Sequence, residues 1–167
     1  AIEYNDTLWI GSLQGLFYLI NDSIHMYNHP LIGDKHVLQI IYWNDQRIIV
    51  TENHGLLIEN GSKHEWINNQ HSLPYGITRC QLDENDILWI GSQKGLYSLD
   101  LEHRSEVRKL SAQQGIWNEK VNDILSIEGE IYIAGKKGLI RISKSKIERA
   151  LISGIKRRNR YINSNSF

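Results

Sequence analysis

The chain has 167 residues, 41% of them hydrophobic, and 19 Lys and Arg balance 19 Asp and Glu to a net charge of +0. That size suits one ordinary domain with a packed core, and the balanced charge indicates no general attraction to nucleic acid or membrane. The single cysteine, Cys80, excludes an internal disulfide framework and cannot make a zinc cluster alone, and no apolar run reaches the roughly 18 residues of a membrane span.

Taken in order, the first pattern is Leu8-Trp9-Ile10-Gly11-Ser12-Leu13-Gln14-Gly15-Leu16-Phe17. It returns almost unchanged as Leu88-Trp89-Ile90-Gly91-Ser92-Gln93-Lys94-Gly95-Leu96-Tyr97. Weaker copies run over 48–57 and 131–140. The closing glycines stand at 15, 55, 95 and 138, in steps of 40, 40 and 43. Strand-type content at a period of about 40–45 residues is the mark of β-propeller blades. A blade has four strands, innermost to outermost. Trp-Ile-Gly reads as the second strand and Gly-Leu-aromatic as the third. The glycine between them suits a left-handed backbone that only Gly takes cheaply.

Innermost strands are expected at 37–42, 77–82 and 121–126, each followed by polar turn residues. Outermost strands are expected at 23–27, 64–67 and 107–110. The same spacing puts the start of the first innermost strand ahead of Ala1, so that only Ile2-Glu3-Tyr4 remains. The expected domain is all-β: four propeller repeats over 1–27, 37–67, 77–110 and 121–143, part of a larger propeller. A second possibility is that the C-terminal stretch supplies the missing strand and closes a ring. The second strand is apolar on both faces, so each sheet needs cover on both sides. Trp9 and Trp89, with Ile49 and Tyr132 in register, are then blade-to-blade packing. Uncovered end blades predict either a homodimer or further blades of a parent chain.

Residues 144–167 form a basic segment. Lys144, Lys146, Arg149, Lys156, Arg157, Arg158 and Arg160 stand against Glu148 alone in 144–160. Ile147, Leu151 and Ile155 recur every four residues, which predicts a helix docked on the propeller by one apolar stripe.

At its Trp-Ile-Gly hairpins the sequence resembles the two-component regulator propeller repeat. The best matches are 77–99 and 7–19, and the copies at 37–58 and 121–142 lack the Trp and the first Gly. The resemblance covers about residues 1–143. It implies a sensor portion of a bacterial hybrid two-component or related signalling protein, periplasmic or otherwise extracytoplasmic. It also implies blades in sevens or multiples of seven, with a β-sandwich, a membrane helix and a kinase module further along. Membrane contact would come only through that parent protein.

No Gly-x-Ser-x-Gly, P-loop, HExxH or Cys-x-x-Cys is present, so neither a metal nor another cofactor is indicated. The histidines read as solvated loop residues. Asn5-Asp6-Thr7, Asn21-Asp22-Ser23 and Asn60-Gly61-Ser62 match the glycosylation acceptor pattern but sit where hairpin turns want such residues. Propeller geometry sends the second-to-third-strand hairpins and the blade-to-blade connections to one face, where recognition residues concentrate. The hairpins bring Gln14, Asn53, His54, Gln93, Lys94, Lys136 and Lys137 to it, and the connections bring His29, Asn69, Tyr75, Trp117 and Asn118. Candidate ligand-binding residues are Trp117, Asn118, Tyr75, His54, Lys94, Gln93, Gln14 and Asn69. Trp117 is the first of them, because an aromatic in a polar loop can stack on a sugar ring or anchor a partner. The function expected is non-catalytic: sensing of a small molecule such as a saccharide, or an interaction domain. The alternatives are a propeller lyase or hydrolase, for which His54, Lys94 and Glu52 are the available groups, and a pure protein-interaction scaffold.

Overall fold

A computed structural model describes residues 1–103, 107–110, 116 and 119–147. The strands form four separate antiparallel sheets, each following chain order. The first holds β1 (Ile2–Tyr4), β2 (Thr7–Ser12), β3 (Gly15–Ile20) and β4 (Ser23–Met26). The second holds β5 (Val37–Trp43), β6 (Gln46–Thr51), β7 (Gly55–Asn60) and β8 (Lys63–Ile67). The third holds β9 (Ile77–Leu82), β10 (Ile87–Ser92), β11 (Gly95–Asp100) and β12 (Arg108–Lys109). The fourth holds β13 (Val121–Ile127), β14 (Glu130–Gly135) and β15 (Gly138–Ser143). The fold is all-β, part of a β-propeller.

The tight turns follow from local chemistry. Asn5-Asp6, Asn21-Asp22 and Asn44-Asp45 all have positive φ, between 45° and 60°, as two-residue hairpin turns of the primed type require. Two of the three acceptor patterns therefore sit in such turns, and Gly61 of the third has φ 57°. The repeated glycines at 15, 55, 95 and 138 have φ of 119°, 122°, 116° and 122°, a region closed to side chains. In the first three sheets a hydroxyl locks this hairpin. Ser12 Oγ donates to the Gly15 carbonyl and accepts from the Gln14 amide, and Thr51 and Ser92 do the same one sheet and two sheets on.

That hydroxyl corrects the alignment of the second repeat. Thr51 pairs with Gly55 as Ser12 pairs with Gly15, so the second hairpin loop is one residue longer than the first. Ile48, not Ile49, is the counterpart of Trp9, and it faces the third sheet. Ile49 turns back toward the first.

Neighbouring sheets meet through their inner strands: β2 on β5, β5 on β9, and both β9 and β10 on β13. Three apolar clusters fill the three gaps. The first includes Leu16, Ile40, Ile49 and Leu57, the second Ile48, Val50, Ile77 and Leu88, the third Trp89, Leu96, Val121 and Ile133. Glycines permit the close approach. A Cβ on Gly11 would lie 2.7 Å from the Val37 carbonyl oxygen, and one on Gly91 would lie 2.7 Å from Val121 Cγ1.

Two expectations change in detail. The outermost strand expected at 107–110 shrinks to Arg108–Lys109, with Val107 and Leu110 buried on either side. Of the C-terminal helix, residues 144–147 make a helical turn whose Ile147 joins the third cluster. The rest of that segment lies outside the described residues.

Candidate functional site

Strand direction sorts the connections onto two rims. The β2–β3, β6–β7, β10–β11 and β14–β15 hairpins share one rim with the connections that lead from each sheet to the next. The β1–β2, β3–β4, β5–β6, β7–β8, β9–β10 and β13–β14 turns lie on the other.

On the first rim, hydrogen bonds lengthen the inner ladders of the second and third sheets and tie those two sheets together. The Glu52 amide donates to the His36 carbonyl at 3.1 Å, and the Ile77 amide donates to the Glu52 carbonyl at 2.8 Å. The Gly76 amide donates to Asn53 Oδ1 at 3.1 Å, and the Gln93 amide donates to the Gly76 carbonyl at 2.9 Å. Asn53, Gly76 and Gln93 are thereby brought together, with Tyr75 beside them and 53% exposed. His36 Nδ1 lies 2.9 Å from Glu52 Oε2 in a partly exposed pair. Gln14, His54 and Lys94 are exposed at their own hairpins. Asn69 is exposed at the start of the short 3-10 helix Asn69–His71, whose N-cap is Asn68. Trp117 and Asn118 lie outside the described residues.

A second feature was not visible in the sequence. A cleft of about 290 Å³ opens between the first two sheets, lined by Tyr4, Thr7, Trp9, Tyr42, Asp45, Arg47 and Glu59 among others. Arg47 Nε and Nη2 donate to Glu59 Oε2 at 2.8 and 2.6 Å, while the guanidinium stacks over Trp9 at 3.7 Å. Tyr27 Oη donates to Glu59 Oε1 at 2.8 Å. Burial, then the bond to Glu59, pushes the Tyr27 hydroxyl up to about 12. Tyr4 stacks on Tyr42, with ring centroids 3.9 Å apart. Among the described residues the Tyr42 hydroxyl, closed off from solvent, meets no hydrogen-bond partner. Burial raises its pKa, and the nearby Arg47 charge opposes the rise. With its rings and charges engaged on one another, the cleft reads as a seam that fastens the sheets.

His29 corrects the reading of solvated histidines. Its side chain is 12% exposed, its Nδ1 accepts from the Leu31 amide, and its Nε2 lies 3.7 Å from Glu59. Burial lowers its pKa, against the raising effect of Glu59. Among the described residues no cluster of His, Cys, Asp and Glu side chains could hold a metal. No described helix is long and apolar enough to cross a membrane.

The fold and the rim define a propeller-type array with a loop face. No family model matches the chain, and no curated protein matches it. Solved structures do. The extracellular domain of BT4673 of B. thetaiotaomicron, described as a one-component system, is 23% identical over 84% of this chain, with a TM-score of 0.70. The extracellular domain of BT3049 of the same organism, described as a hybrid two-component system, is 17% identical over 83% of this chain, with a TM-score of 0.63. The chain spans 19% of the length of each. The computationally designed protein Ika4 is 10% identical, with a TM-score of 0.62, and the match covers 84% of this chain and 87% of that one. At these identities the likeness establishes the fold alone. The first two similar structures are extracellular domains of signalling systems, the class of protein that the repeat motif resembles.

Proposed function

We propose that this chain is a non-catalytic ligand-sensing or interaction part of an extracytoplasmic receptor in bacterial signalling, periplasmic in the simplest case. The observation that carries the reading is the tied rim. Asn53, Gly76 and Gln93 are joined across two sheets, and half-exposed Tyr75 stands beside them on a rigid base. Recognition residues gather on such loops because the scaffold holds them without itself taking part. An exposed aromatic flanked by amide groups suits a small polar ring, and a saccharide is the ligand class favoured. The motif resemblance and the similar extracellular domains support the same placement.

A thermal-shift panel of mono- and oligosaccharides tests this. A stabilising sugar is expected, and its effect should vanish in Tyr75→Ala and Gln93→Ala while both variants keep their unliganded melting point. Turnover of any glycan that is lost in His54→Ala would replace the sensor with an enzyme. A flat panel with a captured protein partner would replace it with a scaffold.

A further inference from the structure

His29 stands in the connection between the first two sheets and holds three successive amides there. Its Nδ1 accepts from the Leu31 amide at 3.2 Å, and its carbonyl accepts from the amides of Ile32 at 3.0 Å and Gly33 at 2.9 Å. Pro30, between them, has no N–H to offer. The turn over 29–33 carries Ile32, fully buried, into the first apolar cluster with Leu16, Val37 and Leu57. It also lays the Gly33 carbonyl on the β2–β3 hairpin, where a Cβ on Gly15 would lie 2.5 Å from that oxygen.

An Nδ1 that accepts carries no proton, so this ring is neutral with its hydrogen on Nε2. Nε2 lies 3.7 Å from Glu59 Oε1. Three neighbouring strands bring charge or a titratable group to the ring: Arg47 on β6, Glu59 on β7 and His64 on β8. The His64 ring meets it edge-on, with centroids 5.2 Å apart, and the Tyr27 ring stacks on it at 5.9 Å. On the same connection, Lys35 Nζ donates to the Ile32 carbonyl at 3.4 Å. Glu59 is already held by Arg47 and by the Tyr27 hydroxyl. A second proton on the His29 ring has only Nδ1 to bind, where it meets the Leu31 N–H.

We propose that the 29–33 turn is an acid-operated latch between the first and second sheets. A proton taken from solvent onto His29 Nδ1 fills the lone pair that holds the Leu31 amide, and two N–H groups then oppose each other. The imidazolium leaves its enclosed place, the turn opens, and Ile32 loosens from the first gap. The latch works with or without a ligand at the rim. Burial is the largest influence on the ring and disfavours its charge. Glu59 favours the charge, His64 and Arg47 oppose it, and the pKa falls below its ordinary value. Unfolded, His29 takes the proton near pH ~6.5. Folded, it does so only at lower pH. The stability held by the neutral ring is therefore complete above the first value and declines as pH falls from there to the second.

Imidazole and amide NMR on the full chain tests this, with amide exchange and melting followed against pH. The His29 ring should titrate below about pH 6.5, and the Leu31 amide should shift with the same midpoint. Between those two values the protection of the Leu31, Ile32 and Gly33 amides, corrected for intrinsic exchange, should fall about tenfold per pH unit. His29→Asn keeps an acceptor for the Leu31 amide and cannot take the proton. Its melting point should drop less than the wild type's between about pH 7 and about pH 5, while His64→Gln should drop nearly as far as the wild type. A His29 ring that titrates at or above about pH 6.5 overturns the proposal. So does a Leu31 amide that ignores the titration, or an acid loss that His29→Asn retains in full. Should His29→Asn fail to fold, the wild-type titration and exchange decide alone.

Discussion

Asp83 shows how one side chain fastens two sheets. It sits in the β9–β10 turn, buried, and accepts from the Trp89 indole at 2.8 Å and from the amides of Asn85 and Ile87. Lys144, at the end of the fourth sheet, brings its ammonium to 3.0 Å from Asp83 and 2.7 Å from Glu84. Burial alone would raise the Asp83 pKa, but these donors together hold it below the usual carboxylate value. Unfolded, Asp83 takes up its proton near pH ~3.9. Folded, it does so only at lower pH. The stability it adds is therefore complete above that value and is lost as pH falls through the folded value. Asp83→Asn should lower the melting point at pH 7 and flatten its further fall in acid; an unchanged acid slope would contradict the assignment. Cys80 makes the opposite case. Its thiol is fully buried, and burial pushes it up to about 12. A thiol reagent at pH 8 should label it only as fast as the chain unfolds, and prompt labelling of the native protein would show the second cluster to be open.

At the scale of elements, the hairpins were readable and the seam was not. Positive-φ turns announce themselves through Asn-Asp and Gly, and the hydroxyl-to-glycine lock recurs at a fixed spacing in Ser12 and Ser92. The second hairpin defeated the alignment because Thr51 keeps the lock while the loop gains a residue, so counting back from Gly55 lands one place out. The Arg47–Glu59 pair had no such mark. The two residues are 12 apart on adjacent strands, and only the pairing of β6 with β7 puts them on the face where Trp9 and Tyr27 wait. Removing one partner of a buried pair strands the other charge, a loss of about 3–5 kcal/mol. Arg47→Ala should show that loss in urea unfolding, and Arg47→Met with Glu59→Gln should recover much of it. A loss of under about 1 kcal/mol would make the pair an ordinary surface bridge.

At the scale of the whole molecule, a period of about 40 residues carried the argument from sequence to fold. It was legible because each blade repeats the same constraint. A sheet with two apolar faces has no stable place except between two others, so Trp9 and Trp89 had to lie at a sheet-to-sheet contact. The ligand face was legible only as a rim. Tyr75 and Gln93 come together there through backbone bonds of Gly76, and nothing in their spacing foretells that link.

Sheet-to-sheet packing through the inner strands is most directly tested by a double-mutant cycle at its tightest points. In Gly91→Ala the new methyl meets Val121 Cγ1 at 2.7 Å, whereas in Gly11→Ala it meets the Val37 carbonyl oxygen. Val121→Ala should therefore relieve Gly91→Ala, with a coupling of about 0.5–3 kcal/mol in urea unfolding. Val37→Ala should relieve Gly11→Ala only in part, because it removes Val37 Cγ1 at 2.9 Å but leaves the carbonyl oxygen at 2.7 Å. Additive effects at Gly91 and Val121 would mean that the third and fourth sheets do not meet there, and the arrangement described would be wrong.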